Sequence, residues 1–199
     1  MKSLLVFIFT LSYTYSFGCS CATPGNKEEL AKMIENADIV VEGTPNSLIK
    51  HNISSKKSET MKKEGINILF NVTSVIKGNL KKKMIAINQG ESRNCAQLYK
   101  IGNRYLVLGY EIKGFKSKKK QYNSAIKSNI NLPPPPGGEI DKNGILTSFN
   151  YDKVEVDYWE ILIKTYKVYT TTSCSTFHPN SEIAKMIRKQ QLSIMPKKN

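Results

Sequence analysis

The chain has 199 residues, with 30 Lys and Arg against 16 Asp and Glu and a formal net charge of +14. That length fits one domain with a buried core. A composition of 40% hydrophobic and 23% charged residues excludes a chain disordered throughout, a collagen-like repeat and a coiled coil. The basic excess suits acidic partners such as nucleic acid, anionic lipid or sulfated polysaccharide, although a solvated lysine-rich surface is the commoner origin of such a balance.

At the N-terminus, Lys2, the apolar run from Leu4 to Leu11 and then Ser16-Phe17-Gly18 have the layout of a secretory signal peptide over residues 1–18, cut before Cys19. The run is too short to span a bilayer, and no later stretch approaches about 18 continuous apolar residues, so no transmembrane segment is expected. Residues 19–199 are read as a single secreted domain, expected to be a monomer. An exported protein seldom meets nucleic acid, so no nucleic-acid partner is expected. The runs Lys81-Lys82-Lys83, Lys118-Lys119-Lys120 and Lys197-Lys198 fall in turns and a tail, which is the pattern of solvated loop tips. Asn52-Ile53-Ser54 and Asn71-Val72-Thr73 are glycosylation sequons, which matter only in a eukaryotic secretory pathway.

Next come Asn26 as a helix cap with Glu29 three residues on, and Leu30, Met33 and Ile34 at helical spacing, which predict a short amphipathic helix. A strand is expected over Ala37 to Gly43. Ile66 to Lys77 predicts another, with Ile68, Phe70, Val72 and Ser74 alternating against Asn67, Leu69, Asn71 and Thr73. Lys77-Gly78-Asn79 is a turn, Met84 to Ile87 a strand, and Tyr105 to Tyr110 an apolar run that fits a central strand buried on both faces. From Glu111 to about Trp159 the pattern changes. The run Pro133-Pro134-Pro135-Pro136-Gly137-Gly138 and the turn-forming Asp141-Lys142-Asn143-Gly144 read as a long loop insertion over about 111–159, with Val154 to Lys164 a strand or short helix. Lys167 to Ser173 is β-branched and alternating, and a closing helix from about Ser181 to Gln191 places Ile183, Met186 and Ile187 on one face. The fold class is mainly β, an OB-fold-like five-stranded barrel with a short N-terminal helix and a C-terminal helix.

Cys19 and Cys21 stand at the expected mature terminus, with Cys95 and Cys174 far downstream. A bridge between positions 19 and 21 would be badly strained, so both are expected to pair with distant partners, each bridge worth roughly 4–5 kcal/mol in the chain-entropy model. The sequence leaves the connectivity open. A zinc site from Cys19, Cys21, Cys95 and His178 is an alternative, weakened by a Cys-x-Cys spacing that is not the usual one for zinc. Neither His51 nor His178 belongs to a catalytic triad, and no Gly-x-Ser-x-Gly or His-Glu-x-x-His occurs, so the chain is not expected to be an enzyme or to need a cofactor.

Cys19-Ser20-Cys21-Ala22 after a signal cut resembles the start of the tissue inhibitors of metalloproteinases, of the netrin-like module class. The likeness continues in family order through Asn36 to Val41, Val75-Ile76-Lys77-Gly78, Cys95, Gly102 to Leu108 and Thr172-Ser173-Cys174. It is greatest to the short, single-domain microbial members. The resemblance implies the disulfides Cys19–Cys95 and Cys21–Cys174, and an inhibitor of zinc metalloproteases. In that family the first residue's α-amine and carbonyl chelate the protease zinc, which keeps one open position; here both groups would belong to Cys19. Ser20 would enter the specificity pocket, and Ser92, Arg93 and Asn94, next to Cys95, would complete the wedge with Cys21 and Ala22. The family's third cysteine, which would fall near Glu35, and its six-cysteine C-terminal domain are absent here. Two other readings compete: a netrin-like module that uses its lysines on anionic glycans or a cell surface, and a lipoprotein anchored through Cys19, although Ser16-Phe17-Gly18 is a poor lipobox.

Overall fold

The computed structural model describes residues 21, 24, 26–49, 67–89, 96–117, 139–148 and 153–194. Helix α1 (Lys27–Asn36) leads into strand β1 (Ile39–Leu48), followed by β2 (Asn67–Lys77), β3 (Met84–Asn88) and β4 (Tyr105–Ile112). Three short strands come next, β5 (Gly114–Ser117), β6 (Glu139–Ile140) and β7 (Ile145–Ser148). They are followed by helix α2 (Lys153–Thr165), strand β8 (Val168–Thr170), a 3-10 turn (Ser173–Ser175), strand β9 (Thr176–Phe177) and helix α3 (Glu182–Ile194). Strands β1, β2, β3, β8 and β4 pair in that order, and β4 returns to β1, closing a five-stranded barrel of the OB-like kind that the strand pattern predicts. Its pairs are antiparallel except β3 with β8.

The side-chain period of two explains why the barrel strands read as unbroken apolar runs. Ile39 and Val41 of β1, Ile85 and Ile87 of β3, Val107 of β4 and Tyr169 of β8 point into the barrel, where they meet Ile68, Phe70 and Val72 of β2. Their neighbours point outward and are covered as well. Val40, Leu106 and Leu108 lie under α1 and α3 with Leu30, Ile34, Ala184 and Ile187, while Ala86 and Val168 lie under α2 with Trp159 and Leu162. Along β2 the expected alternation holds only in the middle: Ile68, Phe70 and Val72 are buried against the half-buried Leu69 and Asn71, whereas Asn67, expected on the other face, is buried and Ser74, expected on the inner face, is exposed beside Thr73.

Several boundaries differ from expectation for identifiable reasons. Strand β1 continues five residues past Gly43, through the buried Pro45 to Leu48, with register shifts that let it bend along β2. Gly43 marks a close approach instead of a turn: a Cβ there would lie 2.1 Å from the Asn71 carbonyl oxygen. Strand β8 stops at Thr170, three residues short of the expected end. On α3 the buried contact is made by Ala184 and Ile187 with Ile183 beside them, and Met186, expected on that face, is exposed. Residues 153–165 form a helix of 13 residues, and β5, β7 and β6 form a small second sheet. The span read as a loop insertion thus holds regular structure at both ends, with Phe115 of β5 stacked on Trp159 of α2 at 5.5 Å. The expected signal segment and the Pro133–Pro136 run lie outside the described residues.

Polar contacts fix the helices to the barrel. The Asn26 side chain accepts from the Glu29 backbone N–H at 2.9 Å, capping α1 as expected. At the other end of α1, Lys77 Nζ donates to the carbonyls of Ile34, Glu35 and Ala37 at 2.9, 2.7 and 2.6 Å, so a cation from β2 occupies the negative end of the helix. Glu42, 7% exposed, follows Val40 on the outward face of β1 and accepts from Arg188 Nε of α3 at 2.5 Å and from Arg104 at 3.4 Å. Tyr158 of α2 accepts from Asn67, which in turn accepts from Asn88, in a buried chain of side chains. Lys77→Met leaves three helix-terminal carbonyls without their shared cation. It is expected to cost about 2 kcal/mol, read as a lower urea midpoint with an unchanged slope.

Candidate functional site

Of the sequence-predicted site residues, the structure describes Cys21 and Cys174; Cys19, Ser20, Ala22, Ser92, Arg93, Asn94 and Cys95 lie outside the described residues. Cys21 is bonded to Cys174, with their Cα atoms 5.0 Å apart, which is the pairing that the resemblance implies. The zinc alternative is corrected on this point, because a cysteine in a disulfide has no thiolate to give a metal. Among the described residues no group of three or more His, Cys, Asp or Glu side chains is placed to hold a metal ion. His178 is exposed and its Nδ1 accepts from the Asn180 backbone N–H.

The turn that carries Cys174 is held from both sides. Thr172 caps it: its hydroxyl accepts from the Cys174 N–H at 3.2 Å, and its own N–H donates to the Ser175 hydroxyl at 2.9 Å. Strand β8 enters the turn from the barrel wall, and β9 leaves it to pair with Leu106 and Val107 of β4. Cys21 is exposed at this end of the barrel, tied to a turn that cannot move without disturbing two sheet ladders.

Tyr99 joins that turn to the loop on which the rest of the predicted wedge depends. Its phenol oxygen lies 2.8 Å from the Thr171 hydroxyl and 2.9 Å from the Thr176 hydroxyl, one on each side of the Cys174 turn. Its backbone N–H donates to the buried Gln89 side chain at 2.8 Å, and the Gln89 carbonyl accepts from the Gln97 N–H. The ring packs edge-on against Phe70 and Tyr105. Gln89 and Tyr99 therefore clamp together the two flanks of the segment that contains Ser92, Arg93, Asn94 and Cys95. Burial pushes the Tyr99 phenol up to about 12, against the lowering effect of its two hydroxyl partners.

Sequence reasoning passed over Tyr99, Gln89 and Thr176 as polar or lone aromatic residues outside a periodic pattern, and read Thr171 only as part of a strand. It also passed over Leu98 and Ile101, which flank Tyr99 and are 75% and 59% exposed. Two bulky apolar side chains left in water on the segment before β4 are a signal of a contact surface, and exposure cannot be read from a sequence. The other motif residues are structural. Lys77 caps α1, Gly78 adopts φ +93° against the Asp38 carbonyl, and Arg104 meets Glu42. The chain matches no protein-family model and no curated protein.

Tyr99→Phe leaves the fully buried Thr171 hydroxyl without its partner. It is expected to destabilise the fold by about 1–3 kcal/mol in urea unfolding. Tyr169 is likewise pushed up to about 12, first by burial and then by Glu111 and Asp38. Both phenols stay protonated in the fold after the unfolded chain begins to ionise near pH 10. Stability should be unaffected by them below about pH 10 and fall from there to about pH 12, less steeply in Tyr99→Phe than in the wild type.

Proposed function

We propose that the chain is an exported inhibitor of zinc metalloendopeptidases that acts through a free N-terminus at Cys19, in the manner of the tissue inhibitors of metalloproteinases. One observation carries the reading: the Cys21–Cys174 disulfide ties the second cysteine of Cys19-Ser20-Cys21 to a rigid turn of the barrel. A chelating residue two positions from such an anchor loses little ordering entropy on binding.

In this mechanism the Cys19 α-amine, which titrates near 7.7–8 when unperturbed, and the Cys19 carbonyl take the open position on the target's zinc and displace its water. Ser20 enters the adjoining specificity pocket. The Cys19–Cys95 bridge brings Ser92, Arg93 and Asn94 beside the terminus, and Leu98 and Ile101 add apolar contact at the edge. The reading also explains why one end of the barrel carries exposed apolar side chains around a buried, fully bonded tyrosine.

The test compares two forms of the secreted chain, one starting at Cys19 and one with a single alanine before it. The extension removes the chelating amine and leaves the rest of the protein unchanged. Inhibition of a zinc endopeptidase should weaken at least about 100-fold, equivalent to about 3 kcal/mol. Undiminished inhibition by the extended form would refute chelation. So would an intact mass showing that the native product begins at another residue, or that Cys19 carries lipid.

A further inference from the structure

At the N-terminal ends of β3 and β8, away from the Cys174 turn, the β2–β3 connection and the end of α2 enclose an open groove of about 460 Å³. Lys81 and Lys82 stand on one wall and Lys164 and Lys167 on the other, with the half-buried Leu80 and Ile163 also lining it. Lys167 is paired with Glu111, and Lys164 lies 4.0 Å from Glu160. Lys81 and Lys82, and the exposed Lys83 beside them, have no carboxylate partner among the described residues. Like charges facing one another across a concave surface repel, and the field they focus attracts a polyanion.

We propose that this groove binds a sulfated polysaccharide. Charge complementarity selects an anion with repeating negative groups, because the lysines stand on two walls and not around a single point. The Cys21–Cys174 disulfide selects among polyanions, since bonds of this kind persist in oxidising compartments outside the cell, where sulfated glycans are abundant and nucleic acid is scarce. The concave, two-walled shape fits a single extended chain better than a flat bilayer surface. The site is independent of the inhibitor reading: it uses none of those residues and opens at the other end of β8.

Heparin is the probe. The wild-type chain should be retained on immobilised heparin and released by rising salt. Lys81→Gln/Lys82→Gln/Lys164→Gln should bind about tenfold more weakly at 0.1 M salt, the effect of losing three exposed ion pairs of ordinary strength. Lys27→Gln/Lys32→Gln/Lys189→Gln removes the same charge from α1 and α3 and should bind like the wild type. Equal losses in the two variants would show that net charge alone is at work and overturn the site. Tighter binding to phosphatidylserine vesicles or to single-stranded RNA than to heparin would overturn the choice of ligand. A measurement on the unaltered protein completes the test: bound heparin should protect Lys81 and Lys82 from acetylation more than Lys27 and Lys189, and equal protection would refute the groove.

Discussion

A single phenol holds one end of this barrel together. Tyr99 is anchored at its backbone by Gln89 and at its hydroxyl by Thr171 and Thr176, so one side chain spans from the end of β3 to both sides of the turn that bears Cys174. The interaction is strong because it is buried: a hydroxyl removed from water must find partners, and here it finds two. The proposed inhibitory wedge needs the segment after β3 and the N-terminal strap to keep a fixed spacing, and Tyr99 is the connection that the barrel provides between them.

Around that end, the fold is built by burying each strand on two sides. The interior accepts one set of alternate residues, and the three helices cover much of the other set. Because the outer layer is apolar, it could slide, and a few charged contacts give it register. Lys77 meets the end of α1, and Glu42 meets Arg188 of α3 with Arg104 beside it. Lys77 and Arg104 belong to the motifs that resemble the tissue inhibitors, and Ile39 to Val41 and Leu106 to Leu108 line the core, so the likeness over Asn36 to Val41, Val75 to Gly78 and Gly102 to Leu108 speaks first of barrel construction. The part of it that concerns protease binding rests on Cys19-Ser20-Cys21-Ala22.

The barrel was legible because its signals are local. Ile39-Val40-Val41, Ile85-Ala86-Ile87 and Leu106-Val107-Leu108 can bury both faces only as covered strands, and Asn26 with Leu30 and Ile34 marks a helix start that needs no tertiary information. The errors came where tertiary structure decides. Gly43 looked like a strand end, yet it is small because β2 passes against it. Met186 sits at a helical position next to Ile187 but on the far side of the contact line. The small sheet at 114–148 was hidden because its strands are two to four residues long and β5 pairs in parallel with a strand 31 positions later. The clamp around Tyr99 was illegible for a related reason: a hydrogen-bonded hub leaves no periodic trace.

The parallel pairing of β3 with β8 has a consequence for how the chain is made. It joins Ala86 to Val168, so the barrel cannot close until the chain has been synthesised through β8 (Val168–Thr170). Closure at such a sequence separation makes a slow, late step in folding. The turn holding Cys174 lies between β8 and β9, so the strands that close the barrel also place the partner of Cys21. A chain that fails to close would leave Cys21 without a fixed partner.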